Sequence, residues 1–258
     1  MEPNSRRFLG KIALVTGSAR GIGKATCAKL AREGADIVVN YRKSAEQAEA
    51  LVGEIRSLGR RAFAVQADMS DPKAISRLFE VIAHEFGGVD FLICNAAAGM
   101  QDTLLESTPK AWDLAMNVNA RSYLLCAQAA VPLMKKRGGG RIIALTARIA
   151  IDRAFPYYGT VAASKAAIEA LTTYMAVEFG PHKIIVNAVS PGLVDTDALR
   201  YFREGSALLD RARISTPTGR VTTSEDVADL VGFLCSDEAA QIAGQVLCLD
   251  GGYTRVFT

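Results

Sequence analysis

Residues 12–23 read Ile12-Ala13-Leu14-Val15-Thr16-Gly17-Ser18-Ala19-Arg20-Gly21-Ile22-Gly23, and this stretch decides the fold. Four consecutive apolar residues suit a parallel strand covered on both faces. Three glycines follow, and Ile22 opens an amphipathic pattern that runs to Glu33. In such a strand–turn–helix unit Gly17 permits the tight turn and Gly21 lets backbone approach a pyrophosphate. Gly23 allows the helix to pack close to the strand. Ser18, Arg20 and Ile22 complete a loop whose helix N-terminus offers free N–H groups and a positive dipole end to phosphate.

Outward from this loop the chain keeps one rhythm. Short apolar runs at Ala35–Asn40, Arg61–Gln66, Val89–Cys94, Arg141–Leu145, Ile184–Val189 and Gln245–Leu249 read as further strands. Between them helices are expected at Ser44–Leu58, Pro72–Phe86, a long one through Ala111–Arg137, Gly159–Phe179 and Ser224–Cys235. Asp71-Pro72 reads as a helix start, and Gly59 and Gly180-Pro181 as stops. Strand–helix repetition predicts an α/β fold with right-handed crossovers: a Rossmann-type, doubly wound parallel sheet of about seven strands flanked by helices on both faces. No linker or repeat divides it, so a single domain is expected. Only Leu193–Gly219 breaks the rhythm, with no strand and a weak helix pattern. It follows the carboxyl end of a strand, where such sheets bind ligands, and reads as a lid or a structural helical hairpin.

Composition removes several function classes. Thirty basic and twenty-seven acidic residues give a net charge of +3, and the basic residues are scattered, which argues against a nucleic-acid partner. No apolar run approaches a membrane span, and the N-terminal residues resemble neither a signal nor a transit peptide, so a cytoplasmic protein is expected. Cys27, Cys94, Cys126, Cys235 and Cys248 stand among apolar neighbours and read as buried reduced thiols. His84 and His182 lack partners at ligand spacing, and no metal site is expected.

The charges bear on the cofactor. A preference for NAD usually shows as an acid near the end of the second strand, yet here stand Asn40-Tyr41-Arg42-Lys43. Arg20 in the glycine loop and Arg42 suit a 2′-phosphate through bidentate charge-assisted bonds, which favours NADPH.

With these residues on the page, the chain resembles the short-chain dehydrogenase/reductase family over essentially its whole length. Thr16–Gly23 matches the glycine motif, Asp68-Met69 the pair that holds adenine, and Asn95-Ala96-Ala97-Ala98-Gly99 the turn after the fourth strand. Asn119 matches the active-site asparagine. Pro191-Gly192 through Val194 and Thr196 matches the segment over nicotinamide, and Asp250-Gly251-Gly252 the C-terminal signature. Lys165 fits the lysine of the family's Tyr-x-x-x-Lys, but four residues earlier stands Val161, which offers no proton. Thr146-Ala147-Arg148 stands where most relatives carry Ser-Ser.

The nearest phenols are Tyr157 and Tyr158. Seven residues turn a helix by about 700° with a rise of about 10.5 Å, so Tyr158 and Lys165 share nearly one face if both are helical. Tyr157 is the rival, because adjacent helical residues point about 100° apart and only one should face the cofactor. Tyr-x6-Lys, with Asp152–Tyr158, is similar to the enoyl-acyl-carrier-protein reductases, and the complete glycine motif and basic residues are most similar to their NADPH-dependent type III form. The outer tyrosine of many type I relatives is replaced by Arg148.

This resemblance implies reduction of a trans-2-enoyl thioester, on acyl carrier protein or coenzyme A, in fatty acid biosynthesis. It implies Tyr158 as donor to the thioester oxygen, Lys165 at the ribose hydroxyls, Asn119 supporting Lys165, and a homo-oligomer, tetramer or dimer. Thr146 is open between a substrate hydrogen bond and a structural one. The alternatives are a 3-oxoacyl or other carbonyl reductase, and a non-catalytic NADP(H)-binding protein.

Overall fold

A computed structural model describes residues 6–196, 199, 202–203 and 205–256. Seven parallel strands lie in the order β3-β2-β1-β4-β5-β6-β7. They are β1 Ile12–Val15, β2 Asp36–Tyr41, β3 Ala62–Gln66, β4 Phe91–Cys94, β5 Gly140–Leu145, β6 Ile184–Pro191 and β7 Val246–Leu249. The chain moves outward from β1 to β3, then crosses back to lay β4 against the other side of β1. That reversal opens a crevice beyond the carboxyl ends of β1 and β4.

Both faces of the sheet are covered, which explains the unbroken apolar runs. Ala13 and Val15 enter the core layer with Leu30, Leu51 and Val231, whereas Leu14 enters the opposite layer with Leu78, Tyr123 and Ile168. The first layer is closed by α1 Gly21–Arg32, α2 Ala45–Ser57 and the helix Ser224–Cys235. The second is closed by α3 Pro72–Phe86, α5 Ser122–Lys136 and α7 Gly159–Phe179, with the short α4 Pro109–Ala115 preceding α5 and the short α6 Ile149–Asp152 preceding α7. A Leu or Ile buried this completely is worth roughly 1.5–3 kcal/mol relative to exposure. Asp71 caps α3 by accepting from the Lys73 N–H at 2.9 Å, as Asp71-Pro72 signals.

Two expectations need correction, and a third segment gains detail. The long helix through Ala111–Arg137 is divided into α4 Pro109–Ala115, a π-helical segment Met116–Arg121 and α5. The widened turn carries Asn119, whose side chain leaves the helix surface to pair with the main chain of Ala98. In Leu193–Gly219, read as a lid or a helical hairpin, the weak helix pattern corresponds to a helix at Gly205–Ser215, and Val194 forms an isolated bridge with Thr222. The thiols are all free, but they are not all buried, since Cys248 is exposed on β7 and Cys94 is half-buried at the end of β4. His84 and His182 are exposed, and no metal-binding cluster occurs among the described residues. Among these residues no helix is long and apolar enough to cross a membrane.

Candidate active site

The glycine loop is held by polar side chains beneath it. Buried Asn40 accepts the Gly17 N–H at 3.0 Å and donates to the carbonyls of Val65 and Ala67. The Thr16 hydroxyl accepts from the N–H groups of Asn95 and Ala96, both at 3.0 Å. Asn95 Nδ2 donates back to the carbonyls of Thr16 and Gly17 at 2.9 and 3.0 Å. The loop after β1 is thereby tied to β2 and β4.

Glycine is required where the loop turns and where it packs. Gly17 has φ +62°, and a Cβ there would lie 2.9 Å from Ala96 Cα. A Cβ on Gly23 would meet Asn95 Nδ2 and Ser18 Cα, each at 2.7 Å. Arg20 precedes α1 without a side-chain cap, so the first-turn N–H groups of α1 gain no partner from it. These uncapped amides, beside a loop with no Cβ at Gly17 and Gly21, fit a dinucleotide pyrophosphate.

A cleft of about 770 Å³ runs from this loop past the ends of β4 and β5 to the segment after β6. Gly17, Arg20, Gly21, Ile22, Tyr41 and Arg42 line its nucleotide end. Asp68, Met69, Asn95 and Ala96 also line the cleft, as do Pro191, Gly192, Val194 and Thr196. Ser18 and Gly23, expected at the cofactor, do not. Ser18 is fully buried with its hydroxyl against the Asn40 main chain, and Gly23 supplies closeness between helix and strand instead of a ligand-facing surface. Partial burial works against ionisation of Asp68, but hydrogen bonds from Ser70 and the nearby Arg42 and Lys43 hold its carboxyl below the usual range. Its carboxylate lies 4.0 Å from the Arg42 guanidinium.

At the centre, Lys165 and Tyr158 line the cleft together. Lys165 is 5% exposed, donates from Nζ to the Leu145 carbonyl at 2.7 Å, and is lowered to about 8 by burial. Tyr158 is the residue before α7, with φ −112° and ψ 6°, so the two-turn phase between phenol and lysine starts from a non-helical residue. Its carbonyl accepts the Ala162 N–H at 2.8 Å. Burial pushes its hydroxyl up to about 12, which keeps it protonated at neutral pH.

The other phenol position and the usual tyrosine place are both turned elsewhere. Val161 is buried, lies outside the cleft and presses on the turn after β4, where a Cβ on Gly99 would come within 2.1 Å of Val161 Cγ2. Tyr157 has left-handed backbone, φ +65°, and does not line the cleft.

Asn119 is placed beside the lysine's helix but not on the lysine. Its Oδ1 accepts from the Ala98 N–H at 2.9 Å, and its Nδ2 donates to the Ala98 carbonyl and to the Ser164 hydroxyl at 2.8 Å. It ties the turn after β4 to α7, and like Ser18 it does not line the cleft. Thr146 is bonded to the protein itself: its hydroxyl lies 3.2 Å from the Lys165 carbonyl and 3.1 Å from Glu169 Oε1. Arg148 faces Asp152 and Glu169 at 2.9 and 3.0 Å.

Beyond the phenol the lining is largely apolar, with Ile149, Phe155, Leu193, Leu199, Phe202 and Leu208, although Gln101 and Arg203 also line the cleft. Sequence reasoning did not single out Asn40 and Glu169 as site supports. A polar residue inside the apolar run of β2 is the signal for the first, whereas only three-dimensional proximity to Thr146 and Arg148 reveals the second.

Comparison with known proteins agrees with this geometry. A family model described as enoyl-(acyl carrier protein) reductase matches residues 17–254. A 1-cyclohexenylcarbonyl-CoA reductase from Streptomyces collinus is 40% identical over 248 residues, covering 95% of this chain and 88% of its own length. The structure of a short chain dehydrogenase from Burkholderia cenocepacia J2315 in complex with NADP superposes with a TM-score of 0.89 at 39% identity, covering 97% of this chain and 100% of the other. A 7α-hydroxysteroid dehydrogenase complexed with NADH and 7-oxo glycochenodeoxycholic acid gives 0.90 at 33% identity, with 96% of both chains covered.

Proposed function

Because the chain belongs to the short-chain dehydrogenase/reductase family, we propose that it uses NADPH to reduce the double bond conjugated with the carbonyl of an enoyl thioester. One observation carries the proposal: the tyrosine that lines the cleft together with Lys165 is Tyr158, seven residues ahead of the lysine, while the residue four ahead is an apolar side chain packed on Gly99. Two findings support it: the matching model bears an enoyl reductase description, and the substrate in the name of the Streptomyces collinus relative is a thioester whose ring double bond is conjugated with its carbonyl.

The roles follow from placement and charge. Gly17, Gly21 and the open end of α1 would hold the pyrophosphate, Arg20 and Arg42 the 2′-phosphate, and Asp68 and Met69 the adenine. Lys165 would hold the nicotinamide ribose, beneath Pro191–Thr196. When bound, NADPH would supply the hydride that goes to the β-carbon of the substrate, leaving NADP+, and a proton from solvent would go to the α-carbon to complete the reduction. Negative charge then gathers on the thioester oxygen, where a preorganised donor is worth about 2.7–4 kcal/mol. Tyr158 is that donor, kept protonated by burial. Asn119 and Thr146 fix the turn after β4 and the end of β5 on α7, which sets the lysine's place. The acyl chain would lie along Phe155, Leu199, Phe202 and Leu208, with acyl carrier protein or coenzyme A outside. We extend the proposal to a homo-oligomer, tetramer or dimer, serving fatty acid biosynthesis in the cytoplasm.

NADPH oxidation with crotonyl and acetoacetyl thioesters, each on coenzyme A and on acyl carrier protein, tests this. Turnover of the crotonyl thioesters is expected. Turnover of the keto substrates alone would establish carbonyl reduction, which the 7-oxo steroid bound by a structural neighbour favours; there the same phenol would protonate an alkoxide. Tight NADPH binding with neither turned over would make the protein a non-catalytic binder.

A further inference from the structure

Tyr157 and Lys183 are the two non-glycine residues with left-handed backbone among those described. Lys183 closes a tight turn into β6 on the far side of the molecule from the cleft. Tyr157 immediately precedes the donor phenol. L-residues enter this region only when their surroundings hold them there.

What holds Tyr157 comes from the segment after β6. The Arg203 guanidinium lies over the Tyr157 ring, with Cζ 4.9 Å from the centroid. Its neighbour Phe202 packs on the ring of Tyr158, with centroids 5.4 Å apart and planes at 37°. Two consecutive residues of one segment therefore grip two consecutive tyrosines of another. The grip is itself anchored, since Gln101 Oε1, from the loop after β4, accepts the Arg203 N–H at 2.7 Å. On the upstream side, Arg153 Nη2 donates to the carbonyls of Thr254 and Val256, which ties the start of the 153–158 stretch to the C-terminal turn.

We propose that Arg203 is a positioning residue: stacked on Tyr157, it holds the left-handed turn that aims the Tyr158 phenol into the cleft. A guanidinium plane suits this task because it covers an aromatic face while its N–H edge stays outward. The catalytic consequence rests on Tyr158 being the donor, as proposed above; the structural one does not.

The test separates the two. Hydrogen exchange of Arg203→Ala is expected to quicken at least about tenfold at the amides of 157–159, with NADPH affinity within about threefold of wild type; unchanged exchange there overturns the proposal. In steady-state assays with crotonyl-CoA, Arg203→Ala should lower kcat about tenfold. Arg203→Lys and Tyr157→Phe, which keep a cation and a ring face, should each retain more than a third of wild-type kcat. The double variant Arg203→Ala/Tyr157→Ala should be no slower than the slower single. In a Tyr158→Phe background Arg203→Ala should change kcat less than twofold, because it acts through the phenol; a full tenfold loss there overturns the proposal. Wild-type enzyme inactive on the crotonyl thioesters of both coenzyme A and acyl carrier protein would instead reject the enoyl substrate, with the exchange result still deciding the role of Arg203.

Discussion

The two ends of the cleft are built by different means. At the nucleotide end the backbone itself forms the surface: glycines at 17 and 21 and the open first turn of α1, with Gly23 packed beneath and Asn40, Thr16 and Asn95 knitting the loop to β2 and β4. At the substrate end, side chains form it, and they come from segments far apart in sequence. Tyr158 stands on an irregular stretch between β5 and α7, faces Phe202 from the segment after β6, and shares the cleft with a lysine bonded to Leu145. The first kind of site tolerates few residues at fixed places. The second can move its key group along the chain while keeping its place in space.

The largest effect is expected where one atom does the chemistry. Tyr158→Phe should lower kcat on an enoyl thioester by about 10²–10³, the usual cost of removing a donor aimed at developing negative charge, with the NADPH dissociation constant unchanged by fluorescence titration. Full activity of this variant would erase the distinction drawn between the two ends. Next comes Gly17→Ala. The left-handed penalty and the encounter with Ala96 together cost roughly 2–5 kcal/mol, so urea unfolding should show a clear loss of stability and NADPH binding should fall steeply.

A smaller change is expected for Arg20→Ala/Arg42→Ala. It should reduce the preference for NADPH over NADH roughly 10-fold or more while kcat with saturating NADPH persists, because charge-assisted hydrogen bonds to phosphate are lost and nothing at the phenol is touched. The smallest concerns pH. Burial lowers Lys165 from 10.5 to about 8, so its charge is present below that pH and is lost above it. The kcat/KM should therefore fall as pH rises through about 8, with no limb from Tyr158 until about 12. Between about 8 and 10.5 the unfolded chain holds a proton that the fold does not. Stability should rise with pH across that interval, and the rise should be smaller in Lys165→Met.

The same contrast explains what could be read from sequence. The strands were legible because cover on both faces keeps their runs largely apolar, with few polar residues such as Asn40 and Asn187 inside them, and the bounds of α3, α7 and the helix Ser224–Cys235 followed from proline, glycine and periodicity. The glycine loop was legible because its function is a backbone conformation. The division of Ala111–Arg137 was not, since a π-helical turn keeps helical spacing while Asn119 answers to Ala98, twenty-one residues away. Tyr158 could be chosen over Tyr157 only in part, because the φ of +65° at Tyr157, which separates the two rings, is held by Arg203 from a different part of the chain.

The methyl of Val161 lodged over Gly99 has one more implication. A larger side chain at that position would press on Gly99, so a phenol placed four residues ahead of Lys165 meets close packing against the turn after β4. Moving the phenol three residues forward, from 158 to 161, would therefore call for adjustment in a loop about sixty residues away, which couples the choice of proton donor to the shape of that turn.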